Sequence, residues 1–320
     1  MTSGMQPSIS VMIPVYEPKP FLLTTLKSVL TQCNDFPDGT MEIVLVDDGS
    51  PKTDVSVLIS SIENADKVKL VRFEENVGLA RNWNRAISLA RGEFIHILHQ
   101  DDVVLSGFYK RLCTALSQHP EAGMAFCRHA IINAEDAIEK VSHRERWTSG
   151  VLNNWLARIA VRVRLQCPSA IVRRSTYDKV GLFREDLIHA LDWEMWVRIA
   201  CHFPVWYETR MLALFRRHSQ NETARLATLG AHEPDVLKTI EVFSQYLPIA
   251  QRDKLVSAAY EYFARSRLKQ AGKLIKAKAY ERAAALIKHV TFAVDKLQPG
   301  WKRSSLSRRL SMLSNIIAST

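Results

Sequence analysis

Two pairs of adjacent aspartates in the first third of the chain have the type and spacing that suggest chemistry. Asp47-Asp48 and Asp101-Asp102 each follow a run of apolar residues of the kind that forms a buried strand. Carboxylate oxygens gathered at one place suit Mg²⁺ or Mn²⁺, which proteins bind through one or two carboxylates together with substrate phosphates. A single acid at a turn or helix start carries little weight, because acids are favoured there for local reasons. Two pairs together favour a ligand site.

Strands that alternate with helices must position these acids. The apolar runs predict strands at Ser8–Val15, Met41–Val46, Val68–Phe73, Phe94–Leu98 and Gly123–Cys127, and helices at Phe21–Leu30, Val55–Ile62, Leu79–Ala90 and Phe108–Leu116. Such alternation indicates an α/β fold with a doubly wound, mainly parallel sheet flanked by helices. Ligands of these sheets bind beyond the carboxyl ends of the strands, which is where both acidic pairs lie.

The C-terminal part of the chain has a different character. Residues 130–175 are less regular, and the pattern after Pro234 is helical almost to the end. Residues 265–320 hold 13 Lys and Arg and only two acids, whereas residues 1–264 have a net charge of −1. This basic region could lie on an anionic membrane surface, or it could pack on the rest of the protein with a solvated charged face. Nucleic acid is not expected, because no nucleic-acid-reading motif accompanies the charge.

The overall composition excludes several classes of protein. Apolar residues make up 47% and charged residues 24%, as in soluble globular proteins. The sequence has no uncharged apolar stretch of about 18 residues, so no transmembrane helix is expected. The first seven residues do not resemble a secretory signal. Five cysteines without paired spacing indicate reduced thiols in a cytoplasmic protein.

Five segments, taken in order, resemble the inverting family 2 glycosyltransferases, which bind nucleotide sugars on a GT-A fold. The segments are Ile13–Tyr16, Val46–Ser50, Asn76–Asn82, Ala90–Ile95 and the Asp101-Asp102 turn. The resemblance covers about residues 8–220. It implies a GT-A catalytic domain over 1–225, with a nucleotide-sugar-binding half over 1–130 and an acceptor-side half over 131–225. A basic α-helical extension over 226–320 would follow.

The resemblance also implies which residues hold the donor. Those that would contact the nucleoside, or support its loop, are Pro14, Tyr16, Glu17, Asp47 and Asp48. The family's Asp-x-Asp signature falls on residues 99–101, and Asp101 would bind the divalent cation that bridges the diphosphate. His99 replaces the first acid, so it could donate to a ribose hydroxyl or simply pack beside the strand. Arg81 would face the diphosphate, with a surface salt bridge as the alternative.

The acceptor side carries the implied general base. Asp192 matches the family's catalytic aspartate, and inverting transfer needs a base that takes the acceptor proton. An aspartate at a helix start could equally be an N-cap. Glu194 points elsewhere on a helix and is a weaker candidate. Trp193 and Trp196 could stack on a sugar, but tryptophans at helical spacing are more often core residues.

Residues 216–221 resemble the family's Arg-x-His segment, in which His218 could complete the metal shell or contact phosphate. A lone histidine is otherwise usually structural. Together these features predict a metal-dependent, hexosyltransferase-type enzyme that transfers sugar from a nucleotide-diphosphate sugar to a saccharide or lipid-linked acceptor. The resemblance suggests a role in bacterial surface polysaccharide synthesis, in the cytoplasm or peripherally on the inner face of the cell membrane.

Two other functions stay open from the sequence. A nucleotidyltransferase also places carboxylates and a metal at strand ends, but it normally has a Gly-rich basic phosphate loop, and residues 14–17 are not one. A nucleotide- or glycan-binding scaffold with a degenerate site is kept open by the substitution at His99.

Overall fold

The computed structural model describes residues 8–219, 221, 225–226 and 230–319. The N-terminal segment that was compared with secretory signals lies outside this part. The strands are β1 (Ile9–Val15), β2 (Met41–Asp47), β3 (Val68–Arg72), β4 (Phe94–Ile97), β5 (Val103–Val104), β6 (Met124–Ile132), β7 (Ile138–Val141), β8 (Gly150–Val151), β9 (Ala170–Arg173) and β10 (Val205–Arg216). The first helices are α1 (Phe21–Leu30), α2 (Val55–Ser60), α3 (Leu79–Leu89), α4 (Phe108–Gln118), α5 (Trp155–Ile159), α6 (Arg174–Val180) and α7 (Leu191–His202). The C-terminal helices are α8 (His232–Ser244), α9 (Ile249–Lys276), α10 (Tyr280–Asp295) and α11 (Trp301–Ala318).

The strands form one sheet in the order β3-β2-β1-β4-β9-β6-β10-β5. Strands β3, β2, β1 and β4 run parallel, as do β6 and β10, while β9 runs antiparallel between β4 and β6. The predicted α/β fold with a mainly parallel, helix-flanked sheet is therefore confirmed. The last predicted strand is longer than expected, because β6 continues beyond Cys127 to Ile132 and pairs with β10 along its length.

Both faces of the central strand β1 are covered. Met12 packs on one face of the sheet, whereas Val11 and Ile13 pack on the other, as the two-residue period of a strand requires. All seven residues of β1 are buried. This double burial explains the continuous apolar run in the sequence, and it fixes the strand end that leads into the loop after Val15.

The C-terminal helices share a hydrophobic core with the sheet. One cluster of buried residues continues from α7 through α8 and α9 to α10 and α11. Trp193 of α7 and Phe243 of α8 meet edge to face, with ring centroids 5.2 Å apart. The basic region is thus packed against the rest of the protein. Among the described helices, none combines the length and apolar character needed to cross a bilayer.

Candidate functional site

A cleft of about 1120 Å³ opens at the carboxyl ends of β1 and β4. The start of α7 and residues of α8 and α9 complete its walls. Nine of the residues singled out in the sequence line it: Pro14, Tyr16, Glu17, Asp48, His99, Asp101, Asp192, Trp193 and His218. The topology therefore gathers side chains from positions 14 to 218 at one sheet edge, where ligands of such sheets bind.

Asp47 lies behind the wall of this cleft rather than in it. Its side chain is completely buried, and Oδ1 accepts hydrogen bonds from the backbone N–H of Ser50 at 3.1 Å and from its hydroxyl at 2.6 Å. The Arg72 guanidinium lies 3.6 Å from Oδ2. Asp47 therefore supports the turn after β2 from behind, and Asp48 is the member of the pair that lines the cleft.

Asp48 ties the turn after β2 to the start of α3. Its carboxylate accepts hydrogen bonds from the backbone N–H groups of Val77 and Gly78 at 3.0–3.2 Å, and Arg85 lies 3.2 Å away. Gly78 has a φ of 87°, a left-handed conformation that glycine adopts without strain. These bonds hold residues 76–79 against the floor of the cleft.

The loop after β1 is held by a residue that the sequence analysis did not select. The Gln100 side-chain amide accepts a hydrogen bond from the Tyr16 N–H at 3.0 Å and donates one to the Tyr16 carbonyl at 3.1 Å. Beside it, Glu17 Oε1 accepts a hydrogen bond from the Lys52 N–H at 2.8 Å. Gln100 occupies the variable middle position of the Asp-x-Asp signature, so only the contact itself identifies its role.

Histidines and carboxylates meet where β4 ends. His218 Nε2 lies 2.9 Å from Asp101 Oδ2, and His99 Nδ1 lies 3.1 Å from Asp102 Oδ2. One potential ligand atom from each of His99, Asp101 and Asp102 falls within 4.8 Å of the others. Carboxylate oxygens suit Mn²⁺ and Mg²⁺, so Asp101 and Asp102 fit a divalent cation, with the His218 imidazole beside Asp101 as a further nitrogen ligand.

His99 is held between a ring and an acid. It stacks on Trp83, with ring centroids 4.9 Å apart. Burial opposes protonation of His99, but Cys167 and the Asp102 carboxylate outweigh it and raise its pKa well above the ordinary value. Burial raises the pKa of Asp102 to about 6. His99, which replaces the first acid of the Asp-x-Asp signature, is therefore held by Asp102, the acid that follows the signature.

Asp192 is the second residue of α7 and lines the cleft, where it is half-buried. Its Oδ1 accepts a hydrogen bond from the Trp193 N–H at 2.7 Å. Burial raises the pKa of Asp192 to about 6, while the Trp193 N–H and the charge of His99 oppose the rise. A carboxylate with this pKa accepts a proton more readily than an exposed aspartate does.

The side chains that directly follow Asp192 in α7 are buried. Glu194 is completely buried and pairs with Arg198 at 2.7 Å, and the Tyr246 hydroxyl donates to it. Trp193 donates its indole N–H to the backbone at 2.6 Å, and both Trp193 and Trp196 are buried. Trp196 is therefore a core residue, whereas Trp193 is buried and also lines the cleft. Arg81 has the surface position named as its alternative: its side chain is 61% exposed and bonded to a surface glutamate, and it does not line the cleft.

The model of glycosyl transferase family 2 matches residues 10–181, more than half of the chain. The chain belongs to glycosyl transferase family 2. An uncharacterized protein, MT1568 of Mycobacterium tuberculosis, is 28% identical over 69% of this chain and 70% of its own length. An uncharacterized glycosyltransferase of Methanocaldococcus jannaschii, MJ1057, is 23% identical over 60% of this chain and 64% of its own.

Solved structures confirm the GT-A type of fold for this family 2 chain. TarS 1-349 of S. aureus, crystallised in complex with UDP-GlcNAc, superposes with a TM-score of 0.72. The superposition covers 98% of this chain and 91% of that one, at 17% sequence identity. The C-terminal helices fall within the matched length, so the architecture is shared beyond the family model.

Proposed function

We propose that this chain is an inverting, hexosyltransferase-type glycosyltransferase that takes its sugar from a nucleotide-diphosphate sugar. The observation that carries the proposal is the common cleft of Asp101, His218 and Asp192. It combines acids and imidazoles suited to a cation-bound diphosphate with a carboxylate whose pKa is raised to about 6. Its chemistry therefore divides between a donor half over 1–130 and an acceptor-side half over 131–225, with the helical region 226–320 as a third unit.

The donor half would hold the nucleoside and, together with His218 of the acceptor-side half, the diphosphate. Pro14 at the end of β1 and the loop residues Tyr16 and Glu17 would contact the base, with Asp47 and Asp48 shaping the turn beneath them. Asp101 and His218 would hold Mn²⁺ or Mg²⁺, with His99 alongside. Such a cation neutralises charge that develops on a leaving diphosphate.

The acceptor half supplies the base. Asp192 takes the proton of the acceptor hydroxyl while that oxygen attacks C1 of the sugar. The bond between C1 and the diphosphate oxygen breaks on the opposite face, so the anomeric configuration inverts. The carboxylate must be ionised to accept the proton, and a pKa of about 6 leaves it ionised at neutral pH.

The experiment that tests this function first finds the nucleotide. UDP, dTDP, GDP and CDP are compared by thermal shift, each with and without Mn²⁺. A ligand at 100 times its dissociation constant stabilises the folded state by about 2.7 kcal/mol. Because TarS was crystallised with UDP-GlcNAc, UDP with Mn²⁺ is the first candidate. Release of the best diphosphate from its sugar conjugates is then measured for the wild type and for Asp192→Asn.

We expect a cation-dependent shift for one nucleotide, turnover by the wild type and no turnover by Asp192→Asn with nucleotide binding retained. Asp253→Asn is the matched control, since it changes an exposed acid of α9. Failure of all four nucleotides to bind, or turnover by Asp192→Asn at the wild-type rate, contradicts the proposal.

The acceptor and the location of the enzyme are part of the proposal. We take the acceptor to be a saccharide or a lipid-linked saccharide of a bacterial surface polysaccharide, glycosylated at the cytoplasmic face of the membrane. Helix α11 supports this placement, because Trp301 and Met312 are 72% and 63% exposed beside the exposed bases Arg308 and Arg309. Aromatic and basic residues together favour an anionic lipid surface.

Vesicle co-sedimentation of the full chain tests the membrane contact, because deleting α9–α11 would remove part of the shared core. Two charge reversals, Arg308→Glu with Arg309→Glu, should weaken binding to phosphatidylglycerol vesicles at least about 30-fold, at about 1 kcal/mol for each base lost. Lys67→Glu with Lys69→Glu makes the same change of charge near β3 and serves as control. Equal losses in both variants would indicate attraction by net charge alone and would defeat the assignment to α11.

A further inference from the structure

A buried carboxylate from the C-terminal region reaches the segment that leads into Asp192. Asp235 lies in the first turn of α8 and is only 5% exposed. Its Oδ1 accepts a hydrogen bond from the N–H of Ile188 at 3.0 Å. Its Oδ2 accepts two more, from the N–H groups of His189 at 2.9 Å and Ala190 at 2.8 Å. Three consecutive backbone donors therefore converge on one side chain.

These three donors immediately precede α7, and α7 has no N-cap of its own. Ala190 stands at the N-cap position, and its methyl group cannot bond the free N–H groups of the first turn. Asp192, in that turn, uses its own Oδ1 on the N–H of Trp193. The start of α7 is thus held by the carboxylate of Asp235, which belongs to α8.

We propose that Asp235 is a positioning residue for the general base. It bonds the backbone on the N-terminal side of α7, and this holds the first turn of the helix, with Asp192, at its place in the cleft. The inference rests on the proposed role of Asp192. It also makes α8 a working part of the catalytic unit, although α8 lies beyond the residues that match the family model.

The same helix offers a matched control. Lys238 pairs with Asp186 at 3.0 Å, a contact between α8 and the same loop. Both of those side chains are 45% exposed, and their loop contact lies farther along the chain from Asp192. A variant at Lys238 therefore removes a link between α8 and the loop without touching the three donors.

The experiment compares Asp235→Asn, Asp235→Ala, Lys238→Ala and Asp192→Asn with the wild type. Turnover is measured with the nucleotide sugar selected in the panel above, and affinity for its diphosphate with Mn²⁺ is measured by calorimetry. All assays run well below the lowest melting temperature, with the folded fraction checked by circular dichroism. Asparagine keeps one acceptor oxygen, but it turns an amide NH₂ toward backbone donors, so it should fall between wild type and alanine.

We expect kcat to fall about 10-fold in Asp235→Asn and about 100-fold in Asp235→Ala, the size of effect that a displacement of about 1 Å has on a reacting group. The affinity for diphosphate should change less than two-fold, because its site lies on β1, β2 and β4. Lys238→Ala should stay within two-fold of wild type in both measurements.

Two results overturn the inference. One is a kcat for Asp235→Asn equal to that of Lys238→Ala. The other is a loss of diphosphate affinity as large as the loss of kcat, which indicates general unfolding. If Asp235→Ala does not fold, Asp235→Asn decides alone. Turnover by Asp192→Asn at the wild-type rate instead refutes the proposed function, so the two failures can be told apart.

Discussion

Replacing Asp192 by asparagine should abolish transfer and stabilise the protein at the same time. The carboxylate is kept in a partly enclosed position, where burial raises its pKa to about 6 from an ordinary 3.8. Asparagine has nearly the same shape, and its side-chain oxygen can still accept the hydrogen bond from Trp193. The substitution therefore removes a charge and a proton acceptor while it leaves the packing in place.

The magnitude follows from the size of the pKa shift. A shift of about two units corresponds to about 3 kcal/mol of penalty on the charged form, as an upper value for a group that touches an open cleft. The folded protein binds this proton more tightly than the unfolded chain does. The free energy of unfolding of the wild type therefore falls as the pH rises from about 4 to about 6, and the full penalty applies above that range.

The assay is urea unfolding of wild type and Asp192→Asn at about pH 4.5 and about pH 8, analysed by linear extrapolation. The variant should be more stable by up to about 3 kcal/mol at the higher pH, and by much less at the lower. Its turnover should fall by about 10² to 10⁴, the usual contribution of a general base. Wild-type turnover should itself rise through about pH 6 as Asp192 ionises.

Equal stability of the two proteins at about pH 8, or a difference that does not change between the two pH values, would refute the reasoning. Either result would mean that the carboxylate is not significantly desolvated. Asp253→Asn should show neither effect, because that acid is exposed. If Asp192→Asn is more stable but retains turnover, the desolvation of Asp192 is supported and its role as the general base is contradicted.

Three further substitutions test the proposed donor site. Gln100→Ala removes both hydrogen bonds to Tyr16, each of which contributes about 1 kcal/mol or less. The Kd for diphosphate, measured by calorimetry, should therefore rise about ten-fold. An unchanged Kd would mean that the loop does not contact the ligand. Arg81→Ala should change kcat/KM less than two-fold, and stability by less than about 1 kcal/mol, because its ion pair is exposed. A loss of more than ten-fold in turnover would indicate instead that Arg81 contacts the diphosphate. His218→Ala should weaken Mn²⁺ binding in the presence of diphosphate at least about ten-fold, followed by the electron paramagnetic resonance of free Mn²⁺, and unchanged binding would leave His218 a structural partner of Asp101.

The first half of the sheet could be predicted because β1, β4 and most of β2 are buried on both faces. Such strands give continuous apolar runs, and the helices between them keep a helical period. The second half gives weaker signals. Strand β9 has only four residues, and β10 carries polar residues and has register irregularities near Glu208 and Met211. The pairing of β10 with β6 could therefore not be predicted from the sequence.

The acids of the site could be predicted as a group but not one by one. Asp47 and Asp48 are neighbours in the sequence, yet one is enclosed by Ser50 and Arg72 and the other lines the cleft. A strand alternates its side chains between two faces, but β2 ends at Asp47 and the chain turns at Gly49, which has a φ of 72°. Beyond the end of a strand its period no longer indicates where a side chain points.

The residues that hold the site in shape are the hardest to predict, and the reason is physical. Gln100 bonds to a residue 84 positions away, and Asp235 bonds to backbone groups about 46 positions away. A hydrogen bond to a backbone N–H places no demand on the partner's residue type, so it leaves no paired signal in the sequence. Residues that could do chemistry can be recognised from their type and spacing. The residues that hold them in place can be recognised only when the fold brings distant segments together. A base such as Asp192 can thus be proposed from a motif, while the carboxylate that fixes the start of its helix becomes visible only in the folded chain.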